Sequence, residues 1–294
     1  MRHMILGTDW WTDCDDAVAV RLLARAHRAG EISLDAVCID ACMEYSLSSL
    51  DGYMQEEGIG DIPLGIDREA VDFGGNPPYQ KNLAPLARRY HANTDGPDAA
   101  FLYRKILAEA EEPVEILEIG FPQVLVRVLE SDADDICPWD GEELFRRKVR
   151  KLWIMAGKWD EQGGRENNFA RNARARKAAA ALCEKCPVPI TFLGWEVGHT
   201  VITGGSLKEG DLLKQILRDH GSENGRMSWD PMLCLLAVTG EEEKAGYDTV
   251  RGTASVDPET GANYFSEDPG GRHAYVRKIR DDAYYKEKIE ERIL

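Results

Sequence analysis

Four aspartates lie within eight residues near the start of the chain, and they constrain its fold more than any other feature. They follow a short apolar run at residues 4–6 and overlap the start of an amphipathic helical pattern. A strand that leads through a polar loop into a helix is the building unit of open α/β sheets, which bind ligands at the carboxyl ends of their strands. The motif therefore predicts a sheet whose first strand ends at a ligand site. The four residues are Asp9, Asp13, Asp15 and Asp16.

The chemistry of this cluster favours a metal site. Neighbouring carboxylates repel one another and raise each other's pKa unless a cation neutralises them. Ligands that offer only oxygen suit a hard divalent ion such as Ca²⁺ or Mg²⁺. The alternative is a solvated helix start, because aspartate is common at N-caps and in first turns. One or two aspartates would serve that purpose, so a group of four favours the metal site.

Apolar, strand-like runs alternate with helical patterns along most of the chain. This alternation predicts an α/β fold with a mostly parallel open sheet, Rossmann-like, and helices on both faces. We find no repeat and no linker, so residues 1–294 are expected to form a single domain. Residues 66–98 are rich in Gly, Pro and Asn and are expected to form a long loop, and residues 247–256 and 272–279 a β-hairpin. The remaining strands are expected at residues 4–6, 34–39, 114–119, 151–155 and 190–193, and the helices at 15–29, 45–57, 99–111, 122–130, 170–184, 207–217, 231–238 and 281–294.

Composition excludes several classes of function. The formal net charge is −16, which argues against binding to nucleic acid or to a membrane surface, since both require a basic patch. No apolar run is long enough to cross a membrane, and the N-terminus lacks the apolar segment of a signal peptide. Seven scattered cysteines indicate reduced thiols. These features together predict a cytoplasmic protein with a small-molecule partner.

Residues 7–16 read GTDWWTDCDD and resemble the motif DTDxGxDxDD of the inosine–uridine-preferring nucleoside hydrolases. Further segments are similar to that family in the same order. The resemblance implies the nucleoside hydrolase fold, Ca²⁺-dependent hydrolysis of an N-glycosidic bond to give ribose and a free base, and a homodimer or homotetramer. The segments are EILEIGF at 115–121, KLWIMAG at 151–157, ENN at 166–168, PITFLGWEVG at 189–198 and SWDP at 228–231, the last two close to one branch of the family.

The resemblance also implies how the ion would be held. Carboxylates of Asp9, Asp16 and Asp230, with the backbone carbonyl of Gln123, would bind Ca²⁺. Asp9 would in addition act as the general base for the attacking water. Without the resemblance, Asp230 could be a plain N-cap, because it precedes an apolar helical pattern.

Substrate contacts are implied in the same way. Asp15 would accept hydrogen bonds from the sugar hydroxyls, and Glu166 and Asn168 would hold the 5′ side of the ribose. Trp229 could stack on the base, and Asp40 is the polar residue nearest to the position of a ribose-contacting Asn. An acidic pocket would stabilise an oxocarbenium-like transition state. On the residues alone, Glu166 and Asn168 could lie in a surface loop and Trp229 in the core.

Departures from the family motif leave two other hypotheses open. Gly7 replaces the first Asp, Trp11 replaces a Gly, and Trp229 stands where many members have a proton-donating His. Because Trp cannot serve as an acid catalyst, purine release by that route is not expected. Trp10 and Trp11 in the acidic loop, together with Val124 in place of an Asn of the family, motivate a catalytically silent ribose- or nucleoside-binding protein. A third hypothesis is an Mg²⁺-dependent phosphohydrolase of the haloacid dehalogenase type, but that mechanism requires a second Asp at the position of Trp11.

Overall fold

The computed structural model describes residues 1–294, and eleven strands account for its sheets. Nine of them form one sheet and two form a short ribbon. In chain order they are β1 Arg2–Thr8, β2 Ile32–Ile39, β3 Leu64–Ile66, β4 Val114–Glu118, β5 Val149–Met155, β6 Ile190–Leu193, β7 Ile202–Thr203, β8 Arg226–Met227, β9 Tyr247–Val256, β10 Asn263–Glu267 and β11 His273–Lys278.

Twelve α-helices connect or cover these strands, together with one 3₁₀ turn at Ala84–Leu86. No helix of the structure has both the length and the apolar character that crossing a membrane requires. The helices are α1 Asp15–Arg28, α2 Ser46–Glu56, α3 Gln80–Leu83, α4 Ala99–Glu109, α5 Gln123–Leu129, α6 Gly141–Lys148, α7 Asn167–Ala170, α8 Ala173–Lys185, α9 Trp195–Gly198, α10 Leu212–His220, α11 Trp229–Thr239 and α12 Asp282–Ile293.

The order of strands in the large sheet is β10-β9-β11-β6-β5-β4-β1-β2-β3. The seven strands from β11 to β3 are parallel, and β9 and β10 are antiparallel additions at one edge. The predicted α/β fold with a mostly parallel open sheet is therefore confirmed. Its expected organisation as a single domain stays a prediction.

Both faces of the sheet are covered, as the sequence predicts. In β1, Met4 and Leu6 belong to one apolar core, whereas Ile5 belongs to the other. Successive side chains of a strand point to opposite faces, so each core lies on its own side of the sheet. Helices α1, α2 and α11 contribute to the first core, and helices α4, α5 and α8 to the second.

The structure differs from the predicted elements mainly in the polar segments. The expected turn at residues 257–271 contains β10, which pairs with β9, and β11 continues the main sheet beside β6. The expected helix at 170–184 corresponds to α8, which begins at Ala173 because Asn172 is its N-cap, and the separate helix α7 ends at Ala170. Helix α10 begins at Leu212, where the carboxylate of Asp211 accepts a hydrogen bond from the Leu213 N–H. The loop at 66–98 includes α3 and the 3₁₀ turn, and β3 and α6 were not predicted.

The order of strands produces a crevice at the carboxyl edge of the sheet. From β1 the chain proceeds to β2 on one side, and it later returns to β4 on the other side. Ligands of open α/β sheets bind where the order reverses in this way. Asp9 follows β1 and Ile119 follows β4, so the acidic motif opens directly into this crevice.

Candidate functional site

A cleft of about 310 Å³ occupies the crevice. Loops that follow β1, β4, β5 and β6 form its walls, and the start of α11 closes it. Seven of the nine residues proposed from sequence line it, so residues far apart in the chain are brought together. The lining residues are Asp9, Trp11, Thr12, Asp13, Asp15, Asp16, Ile119, Met155, Glu166, Asn167, Asn168, Arg171, Trp195, Trp229 and Asp230.

Three carboxylates converge within this cleft. Asp15, Asp16 and Asp230 each place an oxygen within 4.8 Å of the other two. Asp9 lines the same cleft but is not part of that group. The predicted set of carboxylate ligands was Asp9, Asp16 and Asp230, so the structure adds Asp15 to the cluster and places Asp9 beside it.

Helix starts and backbone groups hold the acidic side chains in place. Asp16, in the first turn of α1, accepts hydrogen bonds from the Thr8 hydroxyl and, at 3.3 Å, from the Trp10 N–H. Asp15 accepts a hydrogen bond of 3.2 Å from the backbone N–H of Asp230. This last contact joins the starts of α1 and α11, and it explains how an aspartate so distant in sequence reaches the cluster.

Trp10 fixes the shape of the loop between β1 and α1. It is the only non-glycine residue with a positive φ, at 42°, and such a backbone persists only where packing enforces it. Its indole is fully buried, donates a hydrogen bond of 2.8 Å to the Ser49 hydroxyl and stacks on Tyr53. Trp10 is thus a core residue that supports the loop, whereas Trp11 lines the cleft.

The electrostatics of the cluster call for a cation. Asp9, Asp15, Asp16 and Asp230 are between 1% and 7% exposed. Burial raises the pKa of Asp16 to about 7, and burial together with the neighbouring carboxylates raises the pKa of the other three well above the usual range. The nearby Arg226 is paired with Asp13 through two hydrogen bonds. A buried, oxygen-only donor set without a cationic partner fits a hard divalent ion.

Glu166 and Asn168 are held rigidly at the opposite wall. The Glu166 carboxylate accepts hydrogen bonds from the N–H groups of Asn168 and Gly157, at 2.8 and 3.0 Å, and burial raises its pKa to about 7. The Asn168 amide donates to the carbonyls of Ile119 and Met155, at 3.2 and 2.9 Å. Both N–H groups are therefore used, and the amide oxygen is left to accept hydrogen bonds or face positive charge in the cleft.

Two tryptophans form an aromatic wall at the mouth. The indole N–H of Trp229 donates a hydrogen bond of 2.8 Å to the Trp195 carbonyl, and the two rings lie 6.4 Å apart. The Trp229 N–H is consequently not available to a ligand. Trp195 was not singled out from sequence, although it follows β6 and Gly194 directly, where the strand-end rule places ligand contacts.

Asp40 and Gln123 lie next to each other, outside the cleft. The Gln123 side-chain amide donates to the Asp40 carbonyl, and both residues are buried. The backbone of Gly120 lies between Asp40 and the acidic loop: a Cβ on Gly120 would be 2.3 Å from the Asp9 nitrogen and 2.7 Å from the Asp40 carboxylate. The structure does not bring these two predicted residues to the carboxylate cluster.

Glu118 explains the glycine at the start of the acidic motif. Gly7 pairs with Glu118 across β1 and β4, and a Cβ on Gly7 would be 2.2 Å from a Glu118 carboxylate oxygen. The other oxygen accepts a hydrogen bond of 3.0 Å from the Gly120 N–H, and burial raises the pKa of Glu118 to about 7. Strand β4 therefore places the acidic side chain of Glu118 where residue 7 of β1 has no side chain. This relation follows from the register of the two strands and could not be read from the sequence.

We expect Gly7→Ala to destabilise the protein by about 1–3 kcal/mol, because a buried and hydrogen-bonded carboxylate must move. The free energy of unfolding in urea measures this effect. In the double variant with Glu118→Ala the crowding is absent, so the two substitutions should cost less together than the sum of their separate costs. Additive costs would contradict the proposed contact.

Comparison with known proteins extends the resemblance to the whole fold. No family model matches the chain, and no curated protein matches it in sequence. Among solved structures, the inosine-uridine preferring nucleoside hydrolase from Bacillus anthracis is similar, with a TM-score of 0.71 and 17% identity over 100% of this chain and 99% of that one. A purine-preferring ribonucleoside hydrolase from Gardnerella vaginalis is also similar, with a TM-score of 0.69 and 15% identity over 99% of this chain and 98% of that one.

A third solved structure is the type III effector protein XopQ complexed with adenosine diphosphate ribose. Its TM-score is 0.69, with 13% identity over 99% of this chain and 93% of that one. The likeness covers essentially the full length in all three cases. The fold expected from the sequence motifs, that of the nucleoside hydrolases, is thereby confirmed.

Proposed function

We propose that this protein is a Ca²⁺-dependent hydrolase that cleaves the N-glycosidic bond of nucleosides or related ribosyl compounds. The observation that carries the proposal is the convergence of Asp15, Asp16 and Asp230 without a cationic partner, in a cleft that also contains Asn168. The full-length likeness to nucleoside hydrolases, and to an effector crystallised with adenosine diphosphate ribose, supports a ribosyl substrate.

The three clustered carboxylates would hold the ion. A bound Ca²⁺ supplies positive charge that orients vicinal hydroxyls and lowers the pKa of a coordinated water. Asp9 lies beside this group and lines the same cleft, and a carboxylate in that position can serve as a general base. Its carboxylate would accept the proton of the attacking water. Gln123 and Asp40 are left out of this ligand set because neither residue lines the cleft.

The remaining residues act on the sugar and the base. The Asn168 amide oxygen and the carboxylates offer fixed negative charge to the cation that develops on the sugar ring. The aromatic wall of Trp195 and Trp229 can stack on the base. An indole N–H is too weak an acid to protonate the leaving base, and that of Trp229 is in addition bonded to the Trp195 carbonyl. We therefore expect faster release of leaving groups that need no proton.

A sugar-release assay tests this proposal. Purified protein would be treated with a chelator, returned to excess Ca²⁺ and incubated with a panel of nucleosides and with 4-nitrophenyl riboside, which needs no acid catalyst. Release of reducing sugar that depends on Ca²⁺ supports the hydrolase. If nothing is released although ribose binds, the second candidate, a silent ribose-binding protein, is favoured, consistent with the engaged Trp229 N–H.

We expect Trp229→Ala to raise the KM for a nucleoside and to leave kcat nearly unchanged. Loss of a stacking partner costs about 0.5–1.5 kcal/mol, which corresponds to roughly a two- to tenfold change in KM. Steady-state kinetics measure both constants. Trp229→Phe keeps an aromatic face and should show a smaller effect. A large fall in kcat with KM unchanged would assign Trp229 a chemical role instead.

A further inference from the structure

Arg171 is a cation in an acidic cleft, and the proposed function does not use it. It follows α7 directly, lies three residues after Asn168, and lines the cleft on the same wall as Glu166 and Asn168. The spacing of three residues between Asn168 and Arg171 places these two side chains on the same side of the chain. Arg171 is exposed.

Arg171 has no carboxylate partner within salt-bridge distance, although the chain has 52 acidic and 36 basic residues. Two other arginines, neither of which lines the cleft, do have carboxylate partners, since Arg226 pairs with Asp13 and Arg174 pairs with Asp72. Arg171 forms no such pair. An unpaired guanidinium that faces a ligand cleft has free N–H donors to offer.

The orientation of the Arg171 guanidinium is fixed before any ligand arrives. It lies 4.5 Å from the centre of the Trp11 ring, in cation–π contact. One terminal nitrogen donates a hydrogen bond of 3.0 Å to the Phe73 carbonyl. Trp11, which replaces a small residue of the family motif, is in turn held by its indole bond to the Gly74 carbonyl. A bulky residue in the acidic loop therefore serves as a platform for the cation.

We propose that Arg171 recognises a phosphate group on the 5′ side of the sugar, so that the preferred substrates are 5′-phosphorylated ribosyl compounds. This inference rests on the proposed function, and on the family resemblance for the position of the 5′ side of the ribose beside Glu166 and Asn168. The carboxylates of the cleft repel an anion, and a prepositioned guanidinium offsets that repulsion while forming charge-assisted hydrogen bonds.

A purely structural role for Arg171 has a matched control in the same segment. Arg174 also holds the segment at residues 69–75, through an ion pair with Asp72 and a hydrogen bond to the Glu69 carbonyl, but it does not line the cleft. Arg171→Gln removes the cation from the cleft, and Arg174→Gln removes only a contact to that segment. Arg171→Lys keeps the charge without the planar fork.

Calorimetric titration of the Ca²⁺-loaded protein with ribose, ribose 5-phosphate and inorganic phosphate tests the inference. We expect ribose 5-phosphate to bind about tenfold or more tightly than ribose, which is about 1.4 kcal/mol. Arg171→Gln should abolish this difference while ribose affinity is unchanged. Arg174→Gln should keep the difference, and Arg171→Lys should recover part of it.

Three results would overturn the inference alone. Equal binding of ribose and ribose 5-phosphate by the unaltered protein would remove the phosphate site and leave the proposed function standing. If Arg171→Gln and Arg174→Gln reduced the preference for ribose 5-phosphate equally, the preference would depend on the segment at residues 69–75 and not on the Arg171 cation. Tight binding of inorganic phosphate that survives Arg171→Gln would place the anion elsewhere. Failure of both sugars to bind would instead refute the proposed function, and the inference with it.

Discussion

Asp9→Asn should lower turnover by about 10²–10⁴-fold, the range that a positioned general base contributes. The substitution keeps the size of the side chain and removes its ability to accept the proton of a water. Asp9 lies outside the group of three converging carboxylates, so the variant should still bind Ca²⁺. Steady-state kinetics with the best substrate from the nucleoside panel measure the loss.

Two further measurements separate loss of the base from loss of the fold. Burial raises the pKa of Asp9 well above its usual range, so ionisation of this carboxyl lowers the stability of the metal-free protein as pH rises above the unfolded-state value. The neutral Asn variant should therefore unfold at the same temperature as the unaltered protein, or higher, without metal. Calcium titration should give a similar affinity. Turnover within threefold of the unaltered enzyme would exclude Asp9 as the base.

The second large effect concerns Ca²⁺, pH and stability. Asp16, Glu118 and Glu166 have folded-state pKa values of about 7, against roughly 4 in an unfolded chain. The native state thus binds more protons than the unfolded state between these values, and stability falls as pH rises through that window. We expect the metal-free protein to lose stability on the order of a few kcal/mol between about pH 4 and 7. Thermal unfolding across that range measures it.

Calcium should reverse part of this loss, and more so at high pH, because the ion competes with protons for the carboxylates. At a concentration about 100 times its dissociation constant it stabilises by about 2.7 kcal/mol. Asp230→Ala should weaken this stabilisation by Ca²⁺, and excess Ca²⁺ should restore part of it. Glu118→Gln changes a residue that does not line the cleft, and it should keep the calcium effect. An equal calcium shift in Asp230→Ala and the unaltered protein would contradict the proposed ion site.

The sequence predicts the frame of the fold well because hydrophobic periodicity determines most of it. Strand β6 is found at the predicted residues, and β1, β2 and β5 extend two residues or so beyond the apolar runs. Strand β10 was not predicted because it lies at the edge of the sheet, where β9 is the only strand that it pairs with. Its residues are mostly exposed, and its sequence contains no apolar run that would indicate a strand. The sequence predicted that helix α10 begins at residue 207, because the apolar spacing starts there. The helix begins at Leu212 instead, because Asp211 is its N-cap.

The candidate site was predictable where local motifs lie at strand ends. Asp15, Glu166 and Asn168 share one cleft because the carboxyl ends of parallel strands meet, and Asp230 reaches it at the start of α11. The rule predicts which edge of the sheet a residue lies at, but not whether its side chain reaches the cleft. Asp40 does not reach it, because the backbone of Gly120 lies between Asp40 and the acidic loop. Arg171 and Glu118 were missed for a related reason, because their roles depend on a facing side chain from another segment. Oligomeric state and cytoplasmic location stay predictions.

The exchange between Gly7 and Glu118 also bears on how such proteins diverge. A Cβ on Gly7 would lie 2.2 Å from a Glu118 carboxylate oxygen, so this part of β1 and β4 has room for only one acidic side chain. A related protein with acidic side chains at both position 7 and position 118 would be overpacked here, and one with neither would contain a cavity. Substitutions at the two positions should therefore arise as compensating pairs among relatives. A signature written for the first strand alone would overlook chains in which the second strand carries the acid.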